Sequence, residues 1–271
     1  MFLGLDGFRN GWVAVRIDGE CRAIEFRPDV AGALAAPFVR AAIDIPIGMR
    51  DDGARACDLL ARDRLAPHRS RVFTGARRWL WEDYTDPDQA NAEASRRGQT
   101  RASRQLWHLG RKIMEVDAFV RGHRELDIRE AHPEMVFLRL HGAPLPPKKT
   151  HEGARLRRDL LFADGFHDID EWVSRARIGT GAKADDVLDA CAVALAARDC
   201  AGCVPEGDPP CDAHGLPMQI WFESCCFAAA GRWRATVGRR MFERMVGMAR
   251  DRPSRDRDGE ARLCQGYRQG Y

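Results

Sequence analysis

The chain has 271 residues, 45% hydrophobic and 31% charged, with a net charge of +3. This is the composition of a globular chain able to bury one substantial core, and no apolar run approaches the roughly 18 residues of a membrane span. No secretory leader pattern is evident and nine Cys in such a chain do not read as a disulfide framework, so the cytoplasm is the expected compartment.

Charge is unevenly spread. Residues 223–271 hold 11 Arg against 6 acids, a balance of +5, which leaves −2 on residues 1–222. The basic balance is therefore poor evidence that the core binds a polyanion.

Residues 2–6 read as a buried strand. Asn10-Gly11 signals a turn, and Trp12 to Ile17 a second strand. Asp18-Gly19 marks another hairpin, and Cys21 to Phe26 a third strand. Pro28 opens a short helix to about Ala36. Val39 to Ile45 is a fourth strand, stopped by Pro46 and Gly48. The hairpins make the first three strands antiparallel, and the helix lets the fourth add in parallel to the first by a crossover.

A helical insertion is expected over about 50–125, with helices from Ala54 to Leu65 and Ser103 to Arg121. Between them runs a polar and aromatic stretch with Trp79, Trp81 and Tyr84. Leu126 to Ala131 reads as a fifth strand and Pro133 to His141 as a helix. Pro144, Pro146 and Pro147 stiffen a loop. Helices follow near 152–163, 168–177 and 182–199, and Met218 to Phe222 reads as a last strand. One domain over 1–222 is expected, with 223–271 as a poorly ordered basic extension.

Several acids stand where polypeptides rarely put them. Asp6 ends the run Phe2-Leu3-Gly4-Leu5. Asp44 interrupts Ala41 to Ile47. Asp185, Asp186 and Asp189 precede Ala190-Cys191-Ala192-Val193-Ala194-Leu195. A carboxylate within an apolar segment costs several kcal/mol unless it is compensated. On a helix, position 189 faces much the same way as 185 or 186. Acids in a first helical turn complement the dipole, which explains Asp185 and Asp186 better than Asp189. If the three segments pack together, the acids meet, and a divalent cation is the usual partner. Hard oxygen ligands point to Mg²⁺ or Mn²⁺. Two such ions about 3.5–4 Å apart suit in-line phosphodiester hydrolysis.

The order of strands, helix and acids resembles the RNase H-like fold. More narrowly the chain resembles the DUF429 family of predicted RNase H-like nucleases. The resemblance lies in Gly4-Leu5-Asp6-Gly7, Ile43-Asp44-Ile45-Pro46-Ile47-Gly48, Ser70-Arg71-Val72-Phe73, His132-Pro133-Glu134, Lys148-Lys149-Thr150, Asp185-Asp186-Val187-Leu188-Asp189-Ala190 and Gly215-Leu216-Pro217-Met218. It spans about residues 1–222. The last helix is also similar to that of RuvC-type resolvases.

The resemblance implies an α/β architecture, a mixed β-sheet flanked by helices with helical insertions. It also implies a metal-dependent nuclease. Asp6 and Asp44 match its strand acids, and Asp186 or Asp189 the acid of its final helix. Glu134 is a candidate fourth ligand, with Glu130 as its competitor. His132 is either a proton shuttle or a structural histidine.

Other features carry competing readings. Cys200-x-x-Cys203 and Cys211-x-x-His214 have zinc-knuckle spacing, but chance in a Cys-rich stretch accounts for them more simply. Glu115 and Asp117 read as a solvated or salt-bridged helix face. Nucleic acid is the expected partner. Candidates for its groove are Arg69, Arg71, Arg77, Arg78, Arg96, Arg97, Arg101, Arg104, Lys148 and Lys149, with Trp79 and Trp81 to stack on bases. An ordinary charged surface with core aromatics explains the same residues. Two other functions compete: an actin-like phosphotransferase, suggested by Asp6-Gly7 before a hairpin, and a non-catalytic binding module.

Overall fold

A computed structural model describes residues 1–200 and 202–222; they belong to a compact unit running from Met1 to Cys225. The expected extension over 223–271 lies outside the described residues. The sheet has seven strands: β1 (Phe2–Phe8), β2 (Gly11–Asp18), β3 (Cys21–Arg27), β4 (Arg40–Ile43), β5 (Ile128–Ala131), β6 (Gly202–Val204) and β7 (Ile220–Phe222), in the order β3-β2-β1-β4-β5-β7-β6. β1, β2 and β3 pair antiparallel; β4 joins β1, β5 joins β4 and β7 joins β5 in parallel; β6 closes the far edge antiparallel to β7. This is the mixed α/β sheet that the sequence predicts, consistent with an RNase H-like arrangement.

The helices are α1 (Val30–Ala33), α2 (Ala56–Arg64), α3 (Trp79–Glu82), α4 (Pro87–Arg96), α5 (Arg104–Gly122), α6 (Pro133–His141), α7 (His151–Ala163), α8 (Ile169–Gly179) and α9 (Ala184–Asp199). The pleat of β1 and β2 sorts residues between two apolar layers. Leu3, Leu5, Trp12 and Ala14 face α1 and the inserted helices. Phe8, Val13, Val15 and Ile17 face α6 to α9. Both faces are therefore covered, as expected.

Differences from the sequence reading have local causes. The first hairpin turns at Arg9-Asn10, because Phe8 pairs with Gly11 in the ladder. Gly11 is needed for another reason: a Cβ there would collide with the Arg27 carbonyl. β4 ends at Ile43, so Asp44 stands just past the strand; its N–H still donates to the Leu5 carbonyl at 3.0 Å. α4 was not expected. Its start is nonetheless conventional, with Asp86 accepting from the backbone N–H groups of Asp88 and Gln89 and Pro87 in the first turn.

Candidate functional site

The site begins with a glycine. Gly4 sits on the face of β1 turned toward α9, and a Cβ there would collide with the backbone of Ala190 and Ala194. The small residues of α9 thus let the helix lie directly on the strand. Asp6, two residues on, points to the same face. Asp189 and Asp186 lie up to one turn before Ala190, so α9 runs antiparallel to β1 and brings its acids to the strand's C-terminal end. The parallel ladder sets Leu5 beside Ile43, which carries Asp44 alongside Asp6.

The four carboxyls share one electrostatic field. Burial raises the Asp6 pKa well above its ordinary value, and Asp44, Asp189 and Asp186 raise it further. Burial also pushes Asp44 up to about 7; His132 opposes the shift and Asp189 adds to it. Asp186 is pushed up to about 6, mainly by burial, although its Oδ2 accepts from the Lys183 backbone N–H at 2.7 Å. Asp189 is raised by burial against the pull of Lys148.

Lys148, from the proline loop, is the cation among them. Its Nζ lies 2.7 Å from Asp189 Oδ2 and 3.2 Å from Asp185 Oδ2. Burial works against the ammonium, but Asp189, Asp185 and Asp6 more than offset that and raise its pKa. Asp189 Oδ1 is buried with no hydrogen-bond partner among the described residues. The loop that presents Lys148 is fastened from α7: Thr150 caps that helix through the Gly153 N–H, and Arg157 donates to the Pro146 carbonyl at 3.0 Å.

Glu134 and His132 are already committed elsewhere. Arg157 Nη2 donates to both Glu134 oxygens at 2.6 and 2.8 Å, and Arg71 Nη1 to Oε2 at 2.5 Å. Glu134 thus anchors two arginines where the sequence reading made it a candidate ligand. His132 Nδ1 accepts from the Glu134 N–H as the N-cap of α6. That leaves Nε2 to carry the proton and donate to the Arg71 carbonyl at 3.2 Å. With both nitrogens engaged, the ring is placed as a structural histidine beside Asp44.

Glu130 pairs in register with Ile43 and so faces the opposite side of the sheet. There it meets Arg55 at 2.7 Å and accepts from the Ile47 N–H at 2.8 Å; Arg55 also donates to the carbonyls of Ile47 and Gly48. This buried clamp holds the turn that follows Asp44.

The candidate groove residues scatter. Arg77 and Arg78 are buried, Arg78 in ion pairs with Asp117 and Asp212 at 2.7 and 2.8 Å. Trp79 is buried too, its Nε1 donating to the Asp51 carbonyl, and Trp81 lies against Gly110 and Trp107. They belong to the core of the insertion and not to a stacking platform. Arg96 and Arg97 pair with Glu93, Arg104 with Asp88 and Arg69 with Asp63. Arg101 and Lys149 are exposed. Asp117 is buried and salt-bridged to Arg78 and Arg121, and is not solvated, while Glu115 accepts from Trp12 Nε1 and the Val30 N–H. Cys200 lies against Arg129, Cys203 against Gln219 and His214 against Arg121, each in its own surroundings.

A family model described as "Protein of unknown function (DUF429)" matches residues 4–210. The chain belongs to the DUF429 family. The match takes in Asp6, Asp44, Lys148 and the α9 acids, so the whole acid centre of this DUF429 chain lies within it. No curated protein and no solved structure matches the chain.

The fit of a metal to the centre can be judged from its donors. Asp6, Asp44, Asp186 and Asp189 offer hard oxygens to Mg²⁺ or Mn²⁺. Their mutual repulsion and the orphaned Asp189 Oδ1 mark negative charge that Lys148 leaves uncompensated. Among the described residues no three side chains already stand in a ligating arrangement. The donor chemistry fits; a cation arriving there has to compete with the Lys148 ammonium. Among the described residues no helix is long and apolar enough to cross a membrane.

Proposed function

We propose that the protein is a divalent-metal-dependent phosphodiesterase with nucleic acid as its substrate, a nuclease of the cytoplasm that uses Mg²⁺ or Mn²⁺. The observation that carries this reading is the convergence of four buried or half-buried carboxyls on the end of β1, where Asp44, Asp186 and Asp189 all raise the proton affinity of Asp6, against the Lys148 ammonium. Such an arrangement costs stability unless positive charge is delivered to it, and it invites a function that delivers that charge.

Asp6, Asp44 and Asp189 would hold the metal, with Asp186 beside them. When bound, a divalent ion polarises a phosphoryl oxygen and makes a coordinated water acidic. Lys148 offers a charge to the phosphoryl oxygens once Asp189 is satisfied otherwise. His132 and Glu134 fix the start of α6 and the Arg71 and Arg157 side chains around the site.

The test is cleavage of end-labelled single- and double-stranded DNA and RNA with Mg²⁺, with Mn²⁺ and with EDTA. Activity should require metal, and Asp6→Asn should abolish it while the fold is retained. No cleavage of any of these substrates with either metal sinks the proposal. A second reading rests on the Lys148–Asp189 contact: if the ammonium is a permanent counter-ion, the fold is a non-catalytic binding module. Calorimetry separates the two, because that module takes up no Mn²⁺ at millimolar concentration.

A further inference from the structure

Beside the acid centre lies a cleft of about 300 Å³ whose walls include Lys148, Lys149, Arg157, Arg158, Lys183 and Asp189. Its acidic side, Asp185 and Asp189, is already answered by Lys148. On its basic side Arg157 pairs with Glu134 and Arg158 with Asp170, but the two lysines are not answered. Lys149 and Lys183 are exposed, and among the described residues neither has an ion-pair partner. Arg157 is 1% exposed, and its Nε is buried without an acceptor even though the rest of its guanidinium is spent on Glu134, Pro146 and Gly153. Arg158 Nε is likewise buried and unsatisfied. The first turn of α9 borders the same space through Lys183 and Ala184.

An opening with two free ammonium groups and a buried, under-satisfied guanidinium suits a multiply charged anion with several acceptor oxygens. Phosphate is that ligand. The volume is at the small end for a binding pocket.

We infer that this cleft receives the terminal phosphate of a nucleic-acid strand, so that the protein acts next to a phosphorylated end. The inference deepens the nuclease reading and rests on it for the identity of the strand, but not for the binding itself. Lys149 and Lys183 reach the terminal phosphate and the buried Arg157 forms the floor. The shared Asp189 wall places the adjoining phosphodiester at the acid centre.

The test is binding, in EDTA, of one fluorescent single-stranded oligonucleotide in three forms: 5′-phosphorylated, 3′-phosphorylated and unphosphorylated. One phosphorylated form should bind roughly tenfold or more tightly than the unphosphorylated one, as expected when a dianion meets new charge-assisted hydrogen bonds. The Lys149→Gln/Lys183→Gln double variant should lose that preference, and Lys149→Arg/Lys183→Arg should keep it. Inorganic phosphate should compete with the preferred form. Equal binding of all three forms, or a preference that survives the Gln double variant, overturns the inference. The assay involves no cleavage, so the two claims fail separately. A protein that shows the preference but cleaves nothing retains this inference and loses the nuclease reading. One that cleaves without the preference does the reverse.

Discussion

Asp44→Asn should stabilise the metal-free protein, and more so as the pH rises. The Asp44 carboxyl is pushed from an ordinary 3.8 up to about 7, by burial first and then by Asp189. Between those values the folded chain holds a proton that the unfolded chain has released. Stability therefore falls as pH rises through that window and levels off above about 7. Each unit corresponds to about 1.4 kcal/mol, so the two units from pH 5 to pH 7 have a ceiling of about 3 kcal/mol. Asp44 is half-buried, and solvent screening reduces this to about 1.5 kcal/mol. Asparagine keeps the shape and carries no charge. Its advantage over the wild type should thus widen by about 1.5 kcal/mol, or about 3–6 °C in Tm for a domain of this size. The assay is thermal melting in EDTA at pH 5 and pH 8. Added Mn²⁺ should then raise the Tm of the wild type at pH 8 and leave that of the variant nearly unchanged. A Tm gap that is constant or shrinks between pH 5 and pH 8 would refute the claim that uncompensated carboxylate charge strains this site.

Two further substitutions probe how the centre is built. Gly4→Ala puts a methyl group against the backbone of Ala190 and Ala194, so α9 must lift from β1; a loss of about 3 kcal/mol or more is expected in denaturant unfolding, and a variant within about 0.5 kcal/mol of wild type would show that the helix does not rest on the strand there. Lys148→Met removes the ammonium that lowers the proton affinity of Asp6, Asp44 and Asp189; the metal-free variant should lose about 1–2 kcal/mol at pH 8, a figure discounted because Lys148 is 39% exposed, yet bind Mn²⁺ more tightly in calorimetry, and weaker Mn²⁺ binding would mean that Lys148 organises the ligands instead of competing with the ion.

The parts of the fold that were legible depend on short-range signals. Asp18-Gly19 sets a hairpin because Gly19 takes φ of +55° at no steric cost. A lone acid inside an apolar run is visible in the sequence, and so Asp6, Asp44 and Asp189 could be singled out. Their convergence followed from the parallel β1–β4 ladder and from the Ala-rich face of α9. The partners of the other charged residues were not legible, because they come from far along the chain. Arg71 and Arg157 reach Glu134 from 63 and 23 residues away, and Asp212 reaches Arg78 from 134. Nothing near Arg77 or Arg78 says that the insertion folds back and buries them. α4 carries only half of a helix signal: Asp86-Pro87 is a helix start, but the residues after it lack an apolar stripe. The charge of Lys148 is visible in the sequence but its acidic partners, 37 and 41 residues away, are not; Arg157 and Lys183 carry no signal beyond being basic.

Lys148 is the residue on which the two functional readings divide. Its ammonium faces Asp6, Asp44, Asp185, Asp186 and Asp189, and it contacts two of them. Had the fold needed only electrical balance, carboxamides at Asp6 and Asp44 would achieve it without the cost of burying like charges. The arrangement instead keeps acids that repel one another and supplies a cation on a long, flexible stem anchored to a proline loop. A counter-ion of that kind can withdraw without disturbing the sheet, because the loop is held by Thr150 and Arg157 and not by the ammonium. Aspartates fixed rigidly by β1, β4 and α9, opposed by a cation held by its tether, make a site that is strained when empty and ready to exchange its lysine for a stronger cation.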